Sequence, residues 1–148
     1  MITKFKIFEQ NSLIDAANNS SSAVVKYILG NSDIDVNETD DKNWTALFYG
    51  AWNDNINIIK DLIKAGIDVN IKDENGFSAL SIAAKFVGED LDIVEELIAA
   101  GADLSIMSDD KKDCFEVLPI KFQELITNKY PEQYKKYLIK KDQGKYNL

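Results

Sequence analysis

Two stretches, Asp40-Asp41-Lys42-Asn43-Trp44-Thr45-Ala46-Leu47-Phe48-Tyr49-Gly50-Ala51 and Asp73-Glu74-Asn75-Gly76-Phe77-Ser78-Ala79-Leu80-Ser81-Ile82-Ala83-Ala84, align without a gap at an offset of 33 residues. Each runs into a second apolar pattern, Ile58-Ile59-Lys60-Asp61-Leu62-Ile63 and Ile93-Val94-Glu95-Glu96-Leu97-Ile98. Each then closes on a glycine and a short polar segment, Ala65-Gly66-Ile67-Asp68-Val69-Asn70 and Ala100-Gly101-Ala102-Asp103-Leu104-Ser105. A fixed period of this length marks stacked units that cannot bury their apolar faces alone. The second closing arrives two residues late, because Lys85 to Asp92 is longer than Trp52 to Asn57. The turn between the paired helices of that unit therefore carries a small insertion.

Each unit reads as helix–turn–helix. Small residues at Gly50-Ala51 and Ala83-Ala84 let the first helix approach its neighbours closely. Ile58/Leu62 and Ile93/Leu97, at i and i+4, give the second helix one apolar face. Gly66 and Gly101 fit the left-handed conformation that ends such a helix. A fainter copy precedes these two: Leu13-Ile14-Asp15-Ala16-Ala17, then Val24-Val25-Lys26-Tyr27-Ile28-Leu29, then Asp35-Val36-Asn37. A fourth follows, with Ser108-Asp109-Asp110-Lys111 at the turn and Phe115 where Leu47 and Leu80 fall. Pro119 lands inside its first helix, which must be shortened or restarted. Pro131 to Lys141 reads as a closing helix with Tyr134, Tyr137 and Leu138 on its apolar side and a solvated lysine face opposite.

These residues resemble the ankyrin family, whose repeat runs roughly D-x-x-G-x-T-P-L-H-x-A-A, a turn, an apolar helix, then G-A-D-V-N. Ala46 and Ala79 replace the family proline, Phe48 and Ser81 the histidine, and Asn43 the turn glycine of one repeat. Asn43 is the residue type best able, after glycine, to take positive φ. The resemblance implies an all-α solenoid of about four helix–turn–helix repeats joined by short β-turn or hairpin loops, with two well-formed central repeats between degenerate N- and C-terminal capping repeats. The expected organisation is a single domain over 1–148, with repeats near 10–37, 40–72, 73–107 and 108–140 and a flexible tail over 141–148.

The chain carries 45% hydrophobic residues and a formal net charge of -8, with no Arg and no His. Residues 1–110 hold 20 acids against 8 lysines, a net of -12, and residues 111–148 hold 5 acids against 9 lysines, a net of +4. General attraction to nucleic acid or anionic lipid is not expected. A basic partner for the acidic part is one reading of the charge, and a surface kept soluble by charge is the other. The single cysteine, Cys114, excludes an internal disulfide and a cysteine-based zinc site, and is expected to pack as a small hydrophobe. Met1 to Gln10 lacks the apolar core of a signal peptide, and no stretch reaches the ~18 apolar residues of a membrane helix. A cytoplasmic protein, monomeric when free, is the expectation. Asp33, Asp35 and Asn37 begin like a calcium loop, but Glu38 and Trp44 stand where a glycine and a glutamate are required. No cofactor or metal is expected. Without histidine the usual base for a serine or cysteine nucleophile is missing, and catalysis is the least favoured function class. The tyrosines among the C-terminal lysines suggest a capping helix more than a nucleic-acid surface.

In ankyrin proteins a partner usually lies on the concave side, against the turn tips and the flank of the first helices. Residue by residue, the resemblance marks Asp41, Lys42, Trp44, Trp52 and Asn53 in one repeat and Lys72, Glu74, Asn75, Phe77, Lys85 and Phe86 in the next. The end repeats add Asn18 and Asn19, then Met107, Asp109 and Lys112. Trp44 and Phe77 are expected to be exposed anchors, while Trp52 and Phe86 are balanced between exposure and cover. Asp40 and Asp73 are expected to bond locally to the turn backbone. Aromatic anchors within a polar rim have the make-up of a protein-binding hot spot. The functions in view are a protein-binding module, a narrower inhibitor or immunity protein that neutralises a basic enzyme or toxin, and, least of all, an enzyme.

Overall fold

Four side chains set the rhythm of the fold by opening the first helix of each repeat. In a computed structural model of the chain, which describes residues 12–30, 33–86, 91–106 and 112–145, they are Ser12, Thr45, Ser78 and Asp113. Each accepts a hydrogen bond from a backbone amide two or three residues on: Ser12 Oγ from Asp15 at 3.0 Å, Thr45 Oγ1 from Leu47 at 3.2 Å, Ser78 Oγ from Ser81 at 3.3 Å, and Asp113 Oδ1 from Glu116 at 2.9 Å. An N-terminal oxygen of this kind satisfies one of the amides a helix start leaves without a partner. The first three caps are 33 residues apart and the last 35, so the two-residue insertion is absorbed without loss of register.

The helices that follow are α1 (Leu13–Asn18) and α2 (Ser22–Leu29), α3 (Ala46–Trp52) and α4 (Ile56–Lys64), and α5 (Ala79–Phe86) and α6 (Asp92–Ala99). The C-terminal part comprises α7 (Cys114–Val117), α8 (Ile120–Lys129) and α9 (Pro131–Lys145). The first helices form one layer, in which α3 packs on α1 and α5, and α5 on α7. The second helices form another, in which α4 packs on α2 and α6. The core lies between them. Leu47, Leu80 and Phe115 are buried two residues after their caps and Leu13 one residue after its own, and Ile58, Leu62, Ile93 and Leu97 supply the facing surface. The small residues are needed where the sequence puts them: a Cβ on Gly50 would meet Ile59 Cδ1 at 3.0 Å and Ile58 Cγ2 at 3.2 Å. The second helices of the central repeats end on Gly66 and Gly101 at φ +86° and +93°. Asn43 takes the place of a turn glycine at φ 60°, where Gly76 has 87°.

Pro119 does restart the helix. Leu118 is extended, α7 is only one turn long, and α8 begins directly after the proline, whose missing amide costs nothing there. Three expectations for the C-terminus need correction. Residues 141–145, expected in a flexible tail, continue α9. Leu138, expected on the apolar side, is 42% exposed, while Tyr137 is buried and Tyr134 half-buried. Tyr134 and Tyr137 cluster with Phe115, at ring separations of 5.1 and 5.0 Å from it. The lysine face of α9 is also not simply solvated. Lys140 pairs with Asp103, and Lys141 with Glu116 and Asp113 and donates to Tyr137 Oη at 2.7 Å. In α8, Lys129 meets Glu95 at 2.6 Å. The basic C-terminal region thus neutralises part of the acidic repeats it covers.

Candidate functional site

The turns that carry the expected partner contacts are built on two aspartates. Asp40 Oδ1 accepts the amides of Lys42 at 2.8 Å and Trp44 at 2.9 Å, and Asp73 Oδ1 accepts those of Asn75 and Phe77, both at 2.9 Å. The chain closes back on each turn, Asp40 N–H to Trp44 O at 3.0 Å and Asp73 N–H to Phe77 O at 2.8 Å. These carboxylates are therefore bound up in backbone bonds, as expected of them. Tyr49 donates to the other oxygen of Asp40 at 2.7 Å. Burial alone would raise Asp40, but the Tyr49 hydroxyl and the two amides outweigh it and hold the carboxyl below its usual range. The same bond, followed by burial, pushes the Tyr49 phenol up to about 12.

Trp44 departs from expectation. Its indole N–H donates across the repeat boundary to Asp73 Oδ2 at 3.2 Å, and its ring is half-buried. It packs on Phe48 at 5.5 Å and on Tyr49 at 5.1 Å between centroids. Trp44 therefore joins two repeats, a role that the turn sequence alone does not assign it, and a second bond from Glu74 N–H to Lys42 O at 3.1 Å joins the same two turns. Phe77, its equivalent, is half-buried too. The exposed rings are the other pair, Trp52 at 52% and Phe86 at 54%. They come from the ends of α3 and α5 and meet edge to face at 5.0 Å, with Trp44 next in line at 5.8 Å from Trp52. Lys42 Nζ lies 5.9 Å from the Trp44 ring centre and Lys85 Nζ 5.8 Å from that of Phe86.

Asn53 also leaves the set of free contacts. Its amide donates to the carbonyls of Ala17 at 3.3 Å and Asn18 at 2.9 Å, closing the end of α1 from the next repeat. Asp41, Lys42, Glu74, Asn75, Lys85 and Lys112 are exposed. Met107 and Asp109 lie outside the described residues. Two residues outside the expected set do related work. Asn37 Oδ1 accepts from Asp68 N–H and Asn70 Oδ1 from Asp103 N–H, both at 2.8 Å. The sequence carries a signal for them, since both end a closing segment and they stand 33 residues apart.

The chemistry on offer is that of contact. Cys114 is buried, its thiol pushed up to about 11 by burial, and it donates to Ile106 O at 3.1 Å. A thiol held neutral in this way is a poor nucleophile. Among the described residues no helix is long and apolar enough to cross a membrane, and no three Cys, Asp or Glu are grouped to hold a metal. No individual curated protein matches the chain. A family model described as ankyrin repeats, in three copies, matches residues 13–108. Such repeats are generally protein–protein interaction modules without catalytic activity of their own. That match spans more than half of the sequence, and the all-helical repeat stack agrees with it: the chain belongs to the ankyrin-repeat family.

Proposed function

We propose that this protein binds a partner protein on the concave face formed by its turns and first helices, with Trp52 and Phe86 as the central anchors. The observation that carries the reading is the pair itself. Two large rings from successive repeats are more than half exposed, touch each other, and are backed by a tryptophan fixed by a hydrogen bond. Aromatic side chains offer a wide contact area with few rotatable bonds, which suits them to hot spots. The surrounding rim is polar, with Asp41, Glu74 and Asn75 exposed at the turns. The test is affinity capture from source-cell lysate with wild type beside Trp52→Ala/Phe86→Ala, both checked for an unchanged helical spectrum. A protein retained by wild type and lost from the double variant supports the site. Retention of the same protein by both forms would overturn it.

A narrower reading, an inhibitor or immunity protein acting on a basic enzyme, is favoured by the net charge of -12 over residues 1–110. Adding the protein to the captured partner and assaying that partner's activity separates inhibition from scaffolding.

A further inference from the structure

A second surface lies where the C-terminal helix passes the closing segments of the central repeats. Between α9 and residues Gly101–Ile106 runs a groove of about 550 Å³, half-open to solvent. Ile139, half exposed, gives it an apolar edge over the buried Leu104, and Gln133 offers an amide. Three lysines, Lys72, Lys136 and Lys140, border it against one carboxylate, Asp103. Lys140 is already paired with Asp103. Burial would raise Asp103, yet Lys140 and the Ser105 hydroxyl and amide hold its carboxyl below its usual range, and the ion pair offsets both charges. Lys72 and Lys136 are both exposed, and among the described residues neither ammonium has an ion-pair partner.

A protein of net charge -8 thus presents two uncompensated cations beside an apolar edge. The volume falls in the range of ligand sites, ~300–1,000 Å³, but a half-open groove cannot enclose a small molecule as such sites do. An extended chain needs no enclosure. Its carboxylates can reach the two ammoniums while the apolar side chains between them lie against Ile139.

We propose that this groove is a second docking site, for an acidic peptide segment of a partner protein in which carboxylate and apolar side chains alternate. Lys72, marked by the resemblance for the concave side, borders this groove, but neither Trp52 nor Phe86 lines it, so either proposal stands if the other fails.

The test titrates the full chain into a fluorescein-labelled octapeptide alternating Glu and Leu and follows anisotropy. Lys72→Glu/Lys136→Glu and Trp52→Ala/Phe86→Ala are run beside wild type, with circular dichroism confirming that both variants keep their helices. Saturable binding is expected with wild type and with the aromatic variant. Charge reversal at two contacts is expected to weaken it by about tenfold or more. No binding by wild type, or equal binding by the lysine variant, overturns the proposal. Full displacement of the peptide by acetate or phosphate at millimolar concentration would reassign the groove to small anions. Light scattering that shows a dimer abolished by the lysine variant would reassign it to a second copy of the chain.

Discussion

The bond from Trp44 Nε1 to Asp73 Oδ2 can be weighed by a double-mutant cycle, because each partner has a substitution that removes little else. Trp44→Phe keeps an aromatic ring against Phe48 and Tyr49 and deletes the indole donor. Asp73→Asn keeps one oxygen for the amides of Asn75 and Phe77 and turns an amide group toward the indole. A hydrogen bond to a charged acceptor contributes about 1.5–3 kcal/mol. Here the distance is 3.2 Å and the donor half-buried, which places the bond at the low end, about 1.5 kcal/mol. Each single variant should therefore lose about 1–2 kcal/mol, and the double variant about 1.5 kcal/mol less than their sum. In a chain of this size each kcal/mol moves Tm by about 2–4 °C. Urea unfolding followed at a helical wavelength gives all four stabilities on one scale. Additivity within about 0.5 kcal/mol would refute the account, since it would mean that the indole donor does not couple the two repeats.

Two further outcomes follow from the same geometry. Gly101 has φ +93° and an added methyl there would meet nothing within 4 Å, so Gly101→Ala should lower stability by the conformational cost alone, about 1–2 kcal/mol, read as a fall in Tm without a change in the urea m value. Glu116, through its bond to Lys141, and Asp103, where Lys140 and Ser105 outweigh burial, both ionise below their ordinary values. Their contribution is therefore whole above the ordinary carboxylate range and lost as pH falls through the folded values, so the near-ultraviolet signal of Tyr134 and Tyr137 should fade in acid and Lys140→Gln/Lys141→Gln should flatten that transition.

The repeat is open to reading because it is written in local terms. The cap oxygens of Thr45 and Ser78, the apolar pairs of α4 and α6 and the glycines after them each depend on a few neighbouring residues, and they recur. Side-chain exposure is harder, because it depends on the next repeat. Nothing within residues 40–51 says that the Trp44 indole will find Asp73, 29 positions later, or that Asn53 will reach back to Ala17 and Asn18. Trp44 and Phe77 sit at equivalent turn positions and are drawn inward there, while Trp52 and Phe86, at the ends of their helices, stay more than half exposed. The C-terminal helix resists reading for a similar reason. Its apolar residues are few, and its docking rests on lysines reaching acids up to 37 residues away.

The carboxylates of the proposed binding face divide by the same logic. Asp40 and Asp73 each accept two backbone bonds and one side-chain donor, which leaves them little capacity for a partner. Asp41 and Glu74, each one step further along its turn, are exposed and available. Exposed charges of this kind are screened by salt and act mostly on encounter, whereas rings held in place lose little freedom on binding. Trp44, half-buried, matters to the proposed face mainly through what it holds. By tying one repeat to the next it holds Trp52 and Phe86, which come from those two repeats, at a fixed separation. An anchor assembled from two repeats is only as rigid as the joint between them, so the bond that stabilises the stack also sets the shape that a partner meets.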